Sequence, residues 1–276
     1  MSPHLSILAI ILGIIEGLTE FIPISSTGHM IIAGSLLKFE SFIGSPDKAE
    51  LFYVVIQLGA ILAVGFLFRK RLVSSFVART FTSNAGRLRT HLVLAFIPAA
   101  VIGFLFHKQI KLLLLPVPIA MMLIIGGIVI IAVEVFGKNA KRDTTLDTMT
   151  NKDALIVGFS QVLSLIPGTS RSAATIMGGM LGGMSRVAAT EFSFMLSFPI
   201  MVAASLFEMI HYKSLLTSDM LGVLGVGFIT AFVVSLLIVG WLVRFVQRHT
   251  FFGFGVYRVL LGVVILVLYF STEFFK

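Results

Sequence analysis

Residues 112–133 read LLLLPVPIAMMLIIGGIVIIAV and contain no charged side chain. A helix needs about 20 consecutive apolar residues to cross the hydrocarbon core of a bilayer, and this run is long enough. A β-barrel would instead show short segments of alternating hydrophobicity. Further apolar runs occur at 51–68, 92–106, 192–207, 220–243 and 250–270. We therefore predict an all-α polytopic membrane protein with about six transmembrane helices, built as a single membrane domain over 1–276.

Lysine and arginine gather in three segments of the chain, 69–89, 137–152 and 244–248. In membrane proteins, the loops that stay in the cytoplasm carry an excess of these two residue types. We place all three segments on the cytoplasmic side, and the segments 107–111 and 211–219, which carry fewer cations, on the outer side. The net charge of +8 is explained by these loops, and we predict no nucleic-acid partner.

The two halves of the chain resemble each other. The motif PISS at 23–26 and the motif PGTS at 167–170 each follow an apolar stretch, and aligning their prolines makes the last serines of the two motifs equivalent. We predict two repeats, about 1–140 and about 150–276. Because each would have three full crossings, an odd number, the second repeat would enter the membrane inverted relative to the first.

The opening segment of each predicted repeat, 5–34 and 154–184, is interrupted in its middle by polar residues, glycine and proline. Irregular backbone at membrane depth survives only against protein or water. We therefore interpret these two segments as re-entrant helix hairpins that meet near the middle of the membrane.

The first of these segments contains the stretch EGLTEFIPISSTGHM at 16–30. Glu16 and Glu20 are four residues apart, which places both carboxylates on one face of a helix. An ionised side chain deep in a bilayer costs about 2.5–3.5 kcal/mol on insertion scales, so a cation is expected to offset these two. A hard divalent metal such as Mg²⁺ would do so. The alternative is that both residues lie at an interfacial helix end and reach water.

Pro23 is expected to end the first helix of this hairpin, so the polar residues after it would lie at a turn. They supply three hydroxyls and an imidazole, from Ser25, Ser26, Thr27 and His29. Ser26 and His29 are a candidate nucleophile and base. The alternative is that the hydroxyls cap the next helix and that His29 has a structural role.

The second hairpin carries the motif PGTSRSAAT at 167–175. A flexible glycine, several hydroxyls and an arginine at a helix start are suited to binding a phosphate. The residues expected to form this cradle are Gly168, Thr169, Ser170, Arg171, Ser172 and Thr175. The alternative is a basic turn in the cytoplasm. The motif is not a Walker A loop, so nucleotide binding has no support.

Together, EGLTEFIPISSTGHM and PGTSRSAAT closely resemble the signature regions of the bacterial undecaprenyl-pyrophosphate phosphatases, also known as the bacitracin-resistance proteins. The resemblance extends over essentially the whole chain and includes FYVVIQLGAILAV and EFSFMLS. One departure is Ala173, which stands where the family often has glycine.

The resemblance implies a membrane phosphatase that removes the terminal phosphate of a C55 polyprenyl pyrophosphate. This reaction would recycle the lipid carrier for peptidoglycan synthesis and confer bacitracin resistance. It also implies an inverted-repeat fold with re-entrant hairpins, a divalent metal (Mg²⁺ or Ca²⁺) and a bacterial cytoplasmic (inner) membrane location. The active site would open to the outer, periplasmic face. The implied partner is the polyprenyl pyrophosphate lipid, and a homodimer stays open.

Transferred residue by residue, the resemblance implies that Glu16 and Glu20 hold the metal or activate water. Ser26 and His29 would act in nucleophilic or acid–base steps, and Arg171 would grip the pyrophosphate. The remaining phosphate-binding residues would be Ser25, Thr27, Gly168, Thr169, Ser170, Ser172 and Thr175. Whether Ser26 attacks directly or orients a water stays open.

A second function class is compatible with the same pattern. Inverted repeats with broken helices are also the architecture of secondary transporters, so a lipid-phosphate transporter or flippase is the alternative to an enzyme. A phosphatase needs the acid pair beside a hydroxyl and a histidine and only one opening, whereas a transporter needs a path to both sides.

Three polar residues outside the two motifs have simpler expected roles. Gln57 lies within an apolar run and is expected to join helices by a hydrogen bond; the alternative is a hydrogen bond into the site. Glu134 is expected at the membrane interface. Glu191 is expected either to cap the helix that it opens or to pair with Arg186.

Overall fold

The computed structural model of the chain describes residues 3–137 and 144–271. All regular elements in these two ranges are helical. The first range contains α1 (Pro3–Thr19), α2 (Ser26–Leu36), α3 (Phe39–Ile43), α4 (Pro46–Leu67), α5 (Arg69–Val77), α6 (Asn84–Lys111) and α7 (Pro116–Phe136). The second range contains α8 (Asn151–Leu163), α9 (Arg171–Leu181), α10 (Arg186–His211), a 3₁₀ turn (Lys213–Leu215), α11 (Ser218–Phe245) and α12 (Phe252–Ser271).

Within the described ranges, six helices are long and apolar enough to cross a membrane, namely α4, α6, α7, α10, α11 and α12. They correspond to the six apolar runs of the sequence, so the prediction of an all-α polytopic membrane protein is confirmed. Part of the second basic segment, 138–143, lies outside the described residues.

The helix starts follow from local sequence. Ser45 caps α4 by accepting a hydrogen bond from the backbone N–H of Lys48, and Pro46 occupies the first helical position. Thr150 and Asp153 form a reciprocal capping box at the start of α8. Capping of this kind satisfies backbone donors that have no partner inside the helix.

Two pairs of consecutive helices form hairpins with similar local structure. We call α1 with α2 the first hairpin and α8 with α9 the second hairpin. Each packs its leading helix on a long helix of the other half of the chain, α1 on α11 and α8 on α6. A Cβ at Gly13 would lie 2.7 Å from the carbonyl oxygen of Gly227, and one at Gly158 would lie 2.8 Å from that of Ala95. The two halves are therefore interlocked by close glycine contacts.

Among the long helices, the contacts are uneven. The pair α4 and α11 is closely packed, since a Cβ at Gly59 would lie 2.5 Å from the carbonyl oxygen of Phe228. The pair α7 and α12 is equally close, with Gly127 facing the carbonyl oxygen of Gly255. In contrast, α6 and α10 touch only sparingly. The gap between them holds the candidate site.

Two acidic residues outside the motifs form specific ion pairs, and the expectation for Glu191 was wrong. Glu134 is buried, accepts two hydrogen bonds from Arg186 at 2.7 and 3.1 Å, and accepts a third from the backbone N–H of Phe251. Glu191 pairs instead with Arg71 at 3.1 Å. The guanidinium of Arg186 is bound by Glu134 instead, and Ser185 rather than Glu191 caps α10.

Candidate active site

The turns of the two hairpins have matching backbones. Ser25 has φ 71° and ψ 99°, and Ser170 has φ 70° and ψ 115°, a left-handed conformation that is rare for residues other than glycine. Each serine directly precedes the second helix of its hairpin. Ser25 is therefore equivalent to Ser170, and Ser26 is equivalent to Arg171.

This register differs by one residue from the alignment of the prolines. Gly13 and Gly158, the glycines that contact α11 and α6, both lie twelve residues before the serine of their turn, which supports the same register. In it, Pro23 is equivalent to Gly168. The prolines misled the alignment because a proline fixes only its own backbone torsion and tolerates a shift within an irregular turn.

The tips of the two hairpins meet. Arg171 Nη2 donates to Glu20 Oε1 at 2.9 Å, and the two side chains are only 9% and 5% exposed. Ser172 Oγ donates to the carbonyl oxygen of Ile22 at 3.3 Å. The predicted meeting of acidic and cationic motifs is therefore present, formed by residues about 150 positions apart in the chain.

Ser26 is the second partner of the same carboxylate. Its Oγ donates to Glu20 Oε2 at 2.7 Å, while the other oxygen of Glu20 accepts from Arg171. The carboxylate is thus held between a hydroxyl and a guanidinium. This geometry allows Glu20 to accept the proton of Ser26.

The expected pair of Ser26 and His29 is not formed. The imidazole of His29 turns back along its own helix, and its Nδ1 lies 2.8 Å from the carbonyl oxygen of Ser25. Its Nε2 lies 2.7 Å from the hydroxyl of Tyr257 on α12. Both ring nitrogens are therefore engaged by other groups, and Glu20 takes the place beside Ser26.

A cavity of about 200 Å³ lies at the meeting point of the hairpins. Seven of the predicted site residues line it, namely Glu20, Ser25, Ser26, Thr27, Gly168, Ser170 and Arg171. Its remaining lining includes apolar residues from α6 and α10, namely Ala99, Ile200, Met201 and Ala204. One wall is polar and the other is apolar.

The pattern that defines the family described as bacitracin resistance protein BacA matches residues 9–264 of this chain, which include both hairpins. The chain belongs to the BacA family. It is 48% identical over 262 residues to undecaprenyl-diphosphatase 3 of Acinetobacter baylyi, a match that covers 94% of this chain and 96% of the relative. It is 47% identical over 259 residues to undecaprenyl-diphosphatase 2 of Rhodospirillum rubrum, covering 94% and 93%. It is 46% identical over 264 residues to undecaprenyl-diphosphatase of Nitrosomonas europaea, covering 95% and 94%.

The other predicted site residues of this BacA family member do not line the cavity, namely Glu16, His29, Thr169, Ser172 and Thr175. Thr175 is fully buried, and its Oγ1 donates to the carbonyl oxygen of Arg171 at 2.8 Å and lies 2.6 Å from Ser193 Oγ. Ser172 Oγ lies 3.1 Å from Ser170 Oγ. These two hydroxyls support the residues that line the cavity.

Three polar residues of the cavity were not predicted as site residues: Gln57, Gln161 and Ser164. Gln161 lies nine residues before Ser170, as Glu16 lies nine residues before Ser25, so the repeat in the correct register would have found it. Its Oε1 is buried without a hydrogen-bond partner. Gln57 also lines this cavity, in keeping with the alternative that it reaches the site.

Arg258 on α12 is a further residue that sequence reasoning left unassigned. It is fully buried and donates to the carbonyl oxygens of Pro23 at 3.2 Å and Gly168 at 3.0 Å, one in each hairpin turn. It also donates to the carbonyl oxygens of Met122 and Leu123 on α7. One guanidinium thus ties both turns to α7, through acceptors at equivalent positions of the two hairpins.

The carboxylates fit a divalent cation in part. Glu16 Oε1 is buried and has no hydrogen-bond partner, and the backbone N–H of Glu20 binds the carbonyl oxygen of Glu16, so the two carboxylates stay one helical turn apart. No group of three or more His, Cys, Asp or Glu side chains suited to a metal occurs among the described residues. Protein carboxylates supplemented by substrate oxygens and water are a common arrangement for Mg²⁺.

Proposed function

We propose that this BacA family member hydrolyses undecaprenyl pyrophosphate to undecaprenyl phosphate and inorganic phosphate in the bacterial cytoplasmic membrane. The names of its relatives support this substrate. The observation that carries the proposal is the joint contact of Ser26 and Arg171 with Glu20 inside one cavity. The reaction would recycle the lipid carrier for peptidoglycan synthesis and confer bacitracin resistance.

In the proposed reaction, Ser26 Oγ attacks the terminal phosphorus and its proton passes to Glu20. The bond between that phosphorus and the bridging oxygen breaks, and undecaprenyl phosphate leaves. Glu20 passes the proton that it took from Ser26 to the leaving undecaprenyl phosphate. Water then attacks the phosphorus of the phosphoserine while Glu20 accepts one of its protons and returns it to Ser26 Oγ, which releases inorganic phosphate. In the alternative, Ser26 and Glu20 orient a water that attacks the phosphorus directly.

Arg171 is the proposed phosphate-binding cation. Its Nη2 already bonds Glu20 and its Nη1 donates to the carbonyl oxygen of Ser193 at 3.3 Å, while its buried Nε has no partner. A phosphate oxygen would satisfy that nitrogen and place the guanidinium against charge that develops during transfer. Ser25, Thr27 and Ser170 add hydroxyls from both hairpins.

Glu16 and Glu20 are the residues that would hold a divalent cation. Such a cation, Mg²⁺ or Ca²⁺, would neutralise charge on the pyrophosphate oxygens. The unpaired Oε1 of Glu16 supports this assignment. Removing the cation with a chelator is expected to abolish phosphate release.

The apolar wall of the cavity is suited to the lipid part of the substrate. Ala99 of α6 and Ile200, Met201 and Ala204 of α10 line the gap between these two helices. The first isoprene units would lie there while the pyrophosphate reaches the polar wall. A lipid substrate can then keep its tail in hydrocarbon during the reaction.

We further propose that the cavity opens to the outer face of the membrane. Its residues on α6 and α10 lie in the halves of these helices that end at Lys111 and His211, away from the arginine-bearing starts. The chain contains no cysteine, so a single introduced cysteine can be labelled selectively. We expect Ala204→Cys to react with an impermeant maleimide in intact cells and Arg79→Cys to react only in inverted vesicles; the reverse pattern would contradict the orientation.

The proposed activity can be tested with the full chain purified in detergent. We would measure phosphate release from undecaprenyl pyrophosphate with Mg²⁺, Ca²⁺ or chelator, for the wild type, Glu20→Ala, Ser26→Ala and Arg171→Ala. Loss of general acid–base catalysis lowers rates by about 100- to 10,000-fold, and we expect losses of this size in all three variants. A well-folded wild type that releases no phosphate would refute the proposal.

The same assay separates the two forms of the reaction. With substrate labelled in the terminal phosphate, we expect acid-quenched wild type to retain label on Ser26. Substantial residual activity in Ser26→Ala, together with an unlabelled wild type, would favour attack by water.

A further inference from the structure

The turns of the two hairpins hold the same rare backbone conformation by different means. Ser25 and Ser170 both have positive φ, although neither is glycine. Such residues persist only where the surrounding contacts hold them in place. The question is which contacts do so in each hairpin.

In the second hairpin, the turn is held by its own helix. Ser170 Oγ accepts a hydrogen bond from the backbone N–H of Ala173 at 3.3 Å, and the carbonyl oxygen of Ser170 accepts one from the N–H of Ala174 at 3.0 Å. Both the side chain and the carbonyl of this serine are therefore used to cap α9.

In the first hairpin, the serine makes no side-chain cap. The position equivalent to Ala174 is His29, whose Nδ1 lies 2.8 Å from the carbonyl oxygen of Ser25. The imidazole thus supplies to the carbonyl of the turn serine the donor that the backbone N–H of Ala174 supplies in the other hairpin. Ser25, whose hydroxyl does not cap α2, also lines the cavity.

The tautomer of His29 follows from its partners. A carbonyl oxygen can only accept, so the Nδ1 that contacts Ser25 carries a proton. In the neutral ring, Nε2 then accepts from the hydroxyl of Tyr257 at 2.7 Å, and the two rings lie within 7° of parallel. The one lone pair that could act as a base is directed at α12 and away from Ser26.

We propose that His29 is a positioning residue, which holds the turn at Ser25 and thereby aims the hydroxyl of Ser26 at Glu20, with Tyr257 fixing its tautomer. Because Ser26 directly follows Ser25, a rotation of that turn would displace its Oγ from Glu20 Oε2. This assignment rests on the proposed phosphatase activity and gives His29 no proton to transfer.

Conservative substitutions separate positioning from base catalysis. The side-chain amide of asparagine can occupy the place of Nδ1–H, whereas that of glutamine lies nearer to the place of Nε2. We expect His29→Ala and His29→Gln to lower kcat by about 100-fold, the cost of a displaced reacting group, with KM little changed. We expect His29→Asn to recover to within about tenfold of wild type, because its amide still donates to Ser25.

Other outcomes of these measurements would overturn the inference. An asparagine variant as inactive as the alanine variant would indicate that His29 transfers a proton, as would a kcat/KM pH profile that loses a limb in His29→Asn. Full activity in His29→Ala would remove any role in catalysis. Melting temperatures in detergent identify variants that simply fail to fold.

Tyr257 supplies a second, milder test. We expect Tyr257→Phe to lower kcat by about fivefold to tenfold, the range of one lost neutral hydrogen bond. Tyr269→Phe is the matched control, because Tyr269 lies on the same helix and outside the cavity lining and the contacts of His29. Equal effects of the two substitutions would argue against a specific role for Tyr257.

A readout without activity separates this inference from the proposed function. In ¹⁵N-histidine-labelled protein, the signal that disappears in His29→Asn is expected to report a protonated Nδ1 and an unprotonated Nε2. The opposite tautomer would overturn the positioning role even if the enzyme is active. If the wild type releases no phosphate, the proposed function fails while the tautomer measurement still stands on its own.

Discussion

The two hairpins share a backbone and differ in chemistry. Both place a glycine against a helix of the other half, both turn through a serine with positive φ, and both present a carbonyl to Arg258. At equivalent positions, however, the first hairpin has Ser26 where the second has Arg171, and Glu16 where the second has Gln161. Two hairpins with matching turns thus carry two complementary halves of one site.

The difference has an electrostatic reason. Two identical acidic hairpins would bring like charges together where burial already penalises them. With an arginine in place of the equivalent serine, the tips attract each other through Glu20 and Arg171, whose side chains are almost fully buried. The attraction between opposite charges is strongest where water is excluded, but it has to offset the cost of desolvating both groups, so removal of either partner leaves a buried unpaired charge.

The helices around the hairpins show a second difference between the halves. The pair α4 and α11 is closed by glycine contacts, whereas α6 and α10 leave the gap that forms the apolar wall of the cavity. An exact symmetry would have given two similar gaps. The uneven packing therefore places the apolar wall of the site between α6 and α10.

The largest expected effect comes from exchanging the charges of the two tips. Glu20→Gln and Arg171→Gln should each lower kcat by about 100- to 10,000-fold, because the proton acceptor or the phosphate-binding cation is lost. The double variant Glu20→Arg with Arg171→Glu should regain the melting temperature that the single variants lose, because the ion pair is restored. It should release no phosphate. The measurements are kinetics and thermal unfolding in detergent.

Arg186→Gln is the control for that exchange, since it breaks the buried pair with Glu134 outside the cavity. It should lower the melting temperature and leave kcat near the wild-type value. If the swapped double variant were active, the two hairpins would be chemically interchangeable and the division of roles would be wrong.

An intermediate effect is expected from substitution of the glycines that let each hairpin pack closely on the other half of the chain. Gly13→Ala and Gly158→Ala should each destabilise the protein by about 1–3 kcal/mol, because the added methyl group meets backbone atoms within 3 Å. Similar losses of stability in the two variants would indicate that both hairpins depend equally on their glycine contacts with the other half of the chain. Gly225→Ala on α11 meets nothing within 4 Å and should leave the melting temperature unchanged or slightly higher.

The smallest effect should distinguish the two turn serines. Ser170→Ala removes the cap of α9 and should cost about 1 kcal/mol of stability. Ser25→Ala removes no cap and should leave the melting temperature unchanged while weakening substrate binding. Equal destabilisation by the two substitutions would mean that the turns are held alike, in conflict with the part given to His29.

Much of the fold could be predicted because membrane insertion is governed by local hydrophobicity. The six spanning helices follow from runs that must each bury about 20 residues in hydrocarbon. The two polar motifs also stood out locally, and seven of their residues line the cavity. Polar and ionisable side chains are costly inside a membrane, so their presence in apolar segments of the sequence already indicated a functional site.

By itself the sequence determined the class of fold, the two hairpins and most of the polar wall of the cavity. Only the tertiary structure decided the register of the repeat, the partner of Ser26, the direction of the His29 ring and the partners of Arg258. These depend on contacts between residues far apart in the chain, such as Pro23 and Gly168 on one guanidinium. Hydropathy is read along the chain, whereas a hydrogen bond across the bundle exists only after packing has brought its two groups together.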